Sequence, residues 1–368
     1  MNRTRFALAV AGMLLLAFTV PSSAPAAATG CTRTPEYTVC SADPGGYVKD
    51  TSIIAEIVRR IDAAGEGDTV RAAVYQWSLD KPVTPLADAM VNAKLRGADV
   101  AAVVGRLGAN PTANDPLIDR LTAAGILVKQ CPDACLPNAD GTRKGPDHNR
   151  FFLIEDDGAP TVLVTSLSFV RWHTTQANNL LGVHGDRELY DFYASYWDRL
   201  HSGTWDGWTE EHKAVAGDLG RAWVFPRGAD PIAEQLAAIT GCGIGDRVLV
   251  AHANFQSKRP AVRAELDRIQ ALGCRVRVVV VDTETAHPGW LEDRLGARNV
   301  RVHDAHRNKF IVAEAEFGDV HQAVVWTGTH NLNGNGMRHA DDNLLSVADP
   351  TVAAEYADFF QRLWWSAR

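Results

Sequence analysis

The chain has 368 residues, of which 46% are hydrophobic and 22% charged, and its formal net charge at pH 7 is -7. That length allows two modest domains or one large duplicated one. An acidic surface repels nucleic-acid backbones and anionic membranes unless basic groups cluster, so broad electrostatic binding to DNA is disfavoured, whereas a small cationic pocket is not.

Residues 1–28 read as a secretory signal. Arg3 and Arg5 form a basic start, Phe6 to Val20 is almost wholly apolar, and Ala24-Pro-Ala and Ala26-Ala-Ala offer small-residue cleavage sites. The apolar run is shorter than the roughly 20 residues a membrane span needs, which favours a cleaved leader over an uncleaved anchor. The two arginines are not adjacent, so a twin-arginine export signal is absent. Removing them takes the net charge from -7 to -9. The expected location is extracellular, where disulfides persist. Of the 15 pairings open to six cysteines, closeness in sequence favours Cys31–Cys40, Cys131–Cys135 and Cys242–Cys274. Cys131-Pro-Asp-Ala-Cys135 also has the look of a metal knuckle, but no second pair with zinc spacing follows.

Along the chain the same order of signals occurs twice. Gly67 to Trp77 and Gly245 to Phe255 each give a turn, a β-rich run and an aromatic end. Pro85 to Arg96 and Ala261 to Leu272 read as helices closed by Gly97 and Gly273, and apolar strands follow at Val100–Val104 and Val276–Val281. Each copy reaches a histidine segment, His148-Asn-Arg-Phe-Phe-Leu-Ile-Glu155 or His306-Arg-Asn-Lys-Phe-Ile-Val-Ala-Glu314. A strand comes next (Thr161–Thr165, Ala323–Thr327), then Asn178-Asn-Leu-Leu or Asp342-Asn-Leu-Leu. Strands joined by helices predict an α/β protein of two duplicated lobes, each a mostly parallel sheet flanked by helices and related by a pseudo-two-fold axis. The expected division is a first lobe over 29–200, a Trp-rich linker over 201–230 and a second lobe over 231–368, with Arg187 to His201 a further helix.

These paired segments resemble the phospholipase D superfamily, whose members carry two HxKxxxxD segments, each followed by a Gly-Ser-x-Asn element. The likeness spans nearly the whole mature chain. Cys131–Cys135 before the first segment and Glu188-Leu-Tyr190 after the first lobe look like a secreted actinobacterial branch. The resemblance implies phosphoryl transfer without metal or cofactor. One histidine attacks phosphorus, another protonates the leaving oxygen, and cations and amides hold the non-bridging oxygens.

Carried across residue by residue, His148 matches the nucleophile, with Arg150 at the lysine position and Ser166 in an element that lacks its asparagine. Lys309, Thr329 and Asn331 match the second half, and Asp342 sits where the family has a histidine-orienting acid. Two places before Lys309, however, stands Arg307; His306 is one position early. A one-residue shift turns a strand side chain to the other face, so His306 serves as acid/base only if a bulge re-aims it. Two other readings stay open: another group (His303 and His330 among the candidates) is the acid while Arg307 stabilises charge, or the pocket binds phosphate without turnover. Arg150, Lys309, Asn331, Arg307 and Ser166 are the expected phosphate clamp, and Glu155 and Glu314 read as structural. The expected substrate is a phosphodiester, foremost a phospholipid, handled by a monomer in peripheral contact with a membrane in a setting of lipid degradation. Nucleic acid ranks lower, and Trp290 is the candidate exposed contact. The alternatives are an inactive binder of phosphate-bearing ligands and a nuclease of the same superfamily.

Overall fold

A computed structural model describes residues 30–44, 48–106, 113–284 and 286–368. The signal segment expected over 1–28 lies outside them. Among the described residues, no helix is long and apolar enough to cross a membrane.

The first lobe is built from strands β1 (Gly30–Arg33), β2 (Tyr37–Ala42), β3 (Thr69–Val74), β4 (Asp99–Gly105), β5 (Leu127–Cys131), β6 (Arg150–Asp156), β7 (Ala159–Thr165) and β8 (Asn178–His184). Its helices are α1 (Ser52–Ala63), α2 (Thr84–Leu95), α3 (Asp115–Ala123) and α4 (Arg187–Ser202). The second lobe has β9 (Ala214–Ala216), β10 (Arg221–Val224), β11 (Ile239–Gly241), β12 (Arg247–His252), β13 (Arg275–Val280), β14 (Val300–Val302), β15 (Lys309–Phe317), β16 (Val320–Gly328) and β17 (Asn343–Val347). Its helices are α5 (Pro231–Ala237), α6 (Pro260–Ala271), α7 (Gly289–Leu295), α8 (Gly334–Arg338) and α9 (Pro350–Ser366).

The first sheet runs β1-β2-β8-β7-β6-β3-β4-β5, and the second runs β9-β10-β17-β16-β15-β12-β13-β14, with β11 added against β15. The two orders correspond strand for strand. The α/β class and the duplication therefore stand, but the sheets are mixed, not mostly parallel. Among the described strands, only β3–β4–β5 and β12–β13–β14 pair in parallel. Those pairs are reached through helical crossovers, whereas β6 and β7 are joined by Asp157-Gly158, both at positive φ, a tight turn that can only return the chain antiparallel. The segment read from sequence as a linker supplies β9 and β10, the outermost strands of the second sheet, matching β1 and β2 of the first.

Helices α4 and α9 lie between the sheets. Tyr193, Tyr196 and Trp197 of α4 and Tyr356, Phe359, Phe360 and Trp364 of α9 share one apolar cluster with the inner faces of both sheets. A second cluster covers the outer face of the first sheet beneath α1 and α2, and a third covers the second sheet beneath α5, α6 and α7. The amphipathic pattern of each outer helix thus buries one stripe, while the strands it covers are apolar on both faces. Asp186 and Asp349 cap α4 and α9 with their carboxylates, satisfying N–H groups of the first turn. All three expected disulfides are present. Glu155 pairs with Arg187 and Glu314 with Arg247, away from the histidines that open their segments, in the structural role read from sequence. Trp290 is partly buried, packed on Phe255 beneath Arg263, so it is not the exposed contact expected; Trp172 and Trp365, at 50% and 71%, are.

Gly328 ends β16 opposite Leu344, and a Cβ there would lie 2.2 Å from the Asn343 carbonyl oxygen. The two strands that present Thr329 and Asp342 approach too closely for any side chain. Gly328→Ala is expected to cost at least about 1–3 kcal/mol, read as a lowered denaturation midpoint; an unchanged midpoint would contradict this close approach.

Candidate active site

The two lobes meet through one short pairing used twice. Asp341 N–H donates to the Pro146 carbonyl (3.0 Å), and His148 N–H donates to the Asp341 carbonyl (2.8 Å). With the lobes exchanged, Ala177 N–H donates to the Ala305 carbonyl and Arg307 N–H to the Ala177 carbonyl, both at 2.8 Å. Position by position, His148 therefore corresponds to Arg307, Arg150 to Lys309, Ser166 to Thr329 and Asn178 to Asp342. The mouths of β6 and β15 face each other, and each lobe completes the other's half of the site.

His148 is nearly buried and held on both ring nitrogens. Nδ1 lies 2.8 Å from Asp342 Oδ1, a carboxylate of the other lobe. Nε2 lies 2.9 Å from Arg150 Nη2. A guanidinium has only hydrogens to give, so Nε2 is the acceptor and the proton resides on Nδ1, donated to Asp342. Burial, reinforced by Arg150, pushes the imidazole down to about 4 against the pull of Asp342. It is thus neutral near pH 7, with its nucleophilic lone pair on Nε2. Burial alone would raise the Asp342 carboxyl; His148 and the hydrogen bonds from it and Thr329 hold it below its usual range. Tyr75 packs edge-on against His148 at 4.8 Å, and Arg150 lies over the same ring at 5.3 Å. Arg150 Nε also donates to Ser168 Oγ at 2.8 Å.

The twin half has the same scaffold and different chemistry. Thr329 Oγ1 donates to Asp342 and accepts from Asn343 N–H; Ser166 Oγ likewise donates to Asn178 Oδ1 and accepts from Asn179 N–H. Where the first half has histidine and aspartate, the second has Arg307 and Asn178. Arg307 Nε donates to Gln176 Oε1 at 2.8 Å, and its guanidinium lies over Trp172 at 4.8 Å.

Between the halves is a cavity of about 210 Å³ lined by His148, Arg150, Ser166, Arg307, Lys309 and Asn331 of the expected set, together with Tyr75, Gln76, Trp172, His173 and Asn254. Three cationic side chains line it and no carboxylate does. Burial, then Arg150 and Arg307, push the Lys309 ammonium well below its ordinary value, so this pocket strains to hold its own charges. A larger cleft of about 390 Å³ adjoins it at Tyr75, His148 and Asn331 and is lined also by Arg106, Asp133, Asn335 and Asp342.

His306 is not brought to this site. It is fully buried, lines neither cleft, and faces His303 with ring centroids 5.8 Å apart. No bulge re-aims it: Arg307 and Lys309, two residues apart, take the inward face, and His306 takes the other. His330 is likewise buried, stacked on Phe225. The imidazole that does share the cavity with His148 is His173, from a single 3-10 turn over Arg171–Thr175. Sequence reading passed over it; the only local signal was a Trp-His pair soon after the Ser166 element.

The fold accords with that of known proteins. Residues 236–364 match the family described as cardiolipin synthase, phospholipase D-like domain. Polyphosphate kinase from Porphyromonas gingivalis has the same fold over 88% of this chain, at 15% identity and a TM-score of 0.58; the chain spans 46% of that protein's length. Phosphatidylserine synthase from Haemophilus influenzae Rd KW20 aligns over 86% of this chain and 85% of its own, at 12% identity and a TM-score of 0.56. No curated protein sequence matches the chain. Residues 236–364 therefore carry a domain of the phospholipase D superfamily, and the rest of the chain shares its fold with the two solved structures. Members of that superfamily are phosphodiester-acting enzymes.

The buried histidines carry a pH signature. His148 and His184 are pushed down to about 4 and His330 to about 3, in each case mainly by burial, and His252 and His306 are also held far below their usual range. The unfolded chain takes up protons near pH 6.5 that the folded chain refuses, so stability present above 6.5 is lost as pH falls towards 4. Asp147 and Asp341, raised by burial with Asp147 at about 7, act in the opposite sense but are fewer. The denaturation midpoint is expected to fall between pH 6.5 and 4, more steeply in Asp147→Asn; a flat profile would contradict the buried neutral imidazoles.

Proposed function

We propose that this protein is a secreted, metal-independent phosphodiester hydrolase that works through a phosphohistidine at His148. The observation that carries the reading is the pairing of a neutral, carboxylate-oriented imidazole with a carboxylate-free cavity of three cations. A phosphodiester anion would be drawn to Arg150, Arg307 and Lys309, with the Asn331 amide as a further donor. Its arrival competes for the Arg150 guanidinium and frees His148 Nε2 to attack phosphorus. Asp342 keeps the proton on Nδ1 and stabilises the positive charge that develops on the ring. The cleft beside His148, with Arg106, Asp133 and Asn335, suits a polar group esterified to the phosphate. The acidic net charge and the description of the matched family favour a phospholipid over nucleic acid. The leader-like first 28 residues and three disulfides support secretion.

A second reading is a phosphate-binding protein without turnover. It draws on the Arg307 and Asn178 replacements, which turn half of the site from proton transfer to anion holding. Release of alcohol from diesters with chelator present separates the two. Hydrolysis is expected to persist in chelator and to vanish in His148→Ala; retained turnover in that variant would remove His148 from the mechanism. Asp342→Asn is expected to lower kcat by on the order of 10²–10⁴-fold with little change in KM. An effect confined to KM would argue that Asp342 only shapes the binding cleft.

A further inference from the structure

The hydrolysis proposed above, on which this inference rests, needs a second proton carrier that neither Arg307 nor His306 supplies. We propose that His173 is that carrier, a catalytic residue that protonates the leaving oxygen and then activates water, carried into the cavity by the turn that Asn178 holds in place.

Three observations support this. Among the described residues, His148 and His173 are the only imidazoles lining the central cavity. His173 is 6% exposed, and its Nδ1 has no protein partner, so the ring is not committed to a structural hydrogen bond. Its turn is tied down by the residue that replaces the missing acid: Asn178 Nδ2 donates to the His173 carbonyl at 3.0 Å and to the Gln176 carbonyl at 2.8 Å. A carboxylate at 178 has no hydrogen to give and would repel both oxygens. One change, aspartate to asparagine, therefore removes the orienting acid for a histidine at 307 and supplies the donors that hold the 171–176 turn. Trp172 packs edge-on against the His173 ring, centroids 3.9 Å apart, and so limits its swing.

The step balances. His148 Nε2 forms the N–P bond as the P–O bond to the leaving group breaks, and protonated His173 gives its proton to that oxygen, releasing an alcohol. Water then attacks phosphorus while neutral His173 takes its proton. The N–P bond breaks with its electron pair returning to His148, leaving a phosphomonoester and the starting protonation states. Burial, with Arg150, Arg307 and Lys309 nearby, pushes the free ring down to about 2, so the free site holds His173 neutral; the proposed step requires it to take up a proton with the diester, whose negative charge offsets those cations.

The test compares leaving groups. In His173→Gln, an alkyl phosphodiester, which needs an acid, is expected to lose about 10²–10⁴-fold in rate. Bis(p-nitrophenyl) phosphate, whose leaving group needs none, is expected to keep a burst of about one nitrophenol per protein and to leave phosphohistidine at His148. Asn178→Asp is expected to follow the same pattern at unchanged KM, and His306→Gln to stay within about threefold of wild type on both substrates. Equal losses on the two substrates, an intact His173→Gln enzyme, or the same leaving-group pattern in Tyr75→Phe would overturn the assignment. Wild-type protein that cleaves no diester would sink the hydrolase reading itself. Nitrogen-15 histidine spectra with orthophosphate then judge this inference separately: a shifted His173 resonance supports it and an unmoved one ends it.

Discussion

The backbone pairing between Pro146–His148 and Asp341, repeated between Ala305–Arg307 and Ala177, is the constraint on which the site depends. It sets the mouths of two antiparallel hairpins against each other, so that an acid rooted in β17 reaches a histidine rooted in β6. Neither lobe contains the pair alone. The core follows the same logic, because α4 and α9 sit between the sheets and contribute Tyr196 and Tyr356 to Asn149 and Asn179, the asparagines beside the motifs. Packing and chemistry are thus joined: whatever loosens the sheets' apposition also parts His148 from Asp342.

Duplication gives two equivalent positions for every group, and the chain has treated them differently. One half retains the imidazole–carboxylate pair; the other has Arg307 and Asn178 on the same hydrogen-bonded frame. The shared Ser166 and Thr329 hydroxyls show that the frame itself is unchanged. In the function proposed here, the first half supplies the nucleophile and the second adds a fixed cation at the equivalent position. The acidic protein surface and the cationic interior are compatible because the three cations converge at a point that the lobes enclose.

Much of this was legible in sequence because it is local. Apolar runs bounded by turn residues gave β3, β4, β7, β12, β13 and β16, and closeness in sequence gave the disulfides. The strict alternation of a strand showed that His306 needed a bulge to reach the site; the described residues contain no such bulge there, so His306 is not the acid/base expected. Other features were not legible because their causes are tertiary. β9 and β10 are three and four residues long, too short for periodicity to show, and they become strands only against the edge of β17. The antiparallel hairpins were hidden by strands buried on both faces, whose continuous apolar runs look alike in either direction. His173 lies on an irregular turn, where no repeat pattern marks which way a side chain points.

The bond from Arg150 to His148 Nε2 has a further consequence. The lone pair that would attack phosphorus is already engaged by a guanidinium, which only a competing anion can draw aside. Charge thus acts as a key as well as a clamp. Neutral esters, alkylating agents and stray oxidants meet a nucleophile that is sheathed, while a phosphodiester brings the means of unsheathing it. Among reactive small molecules that the cavity does not exclude by size, such chemical reticence would protect the imidazole between substrates.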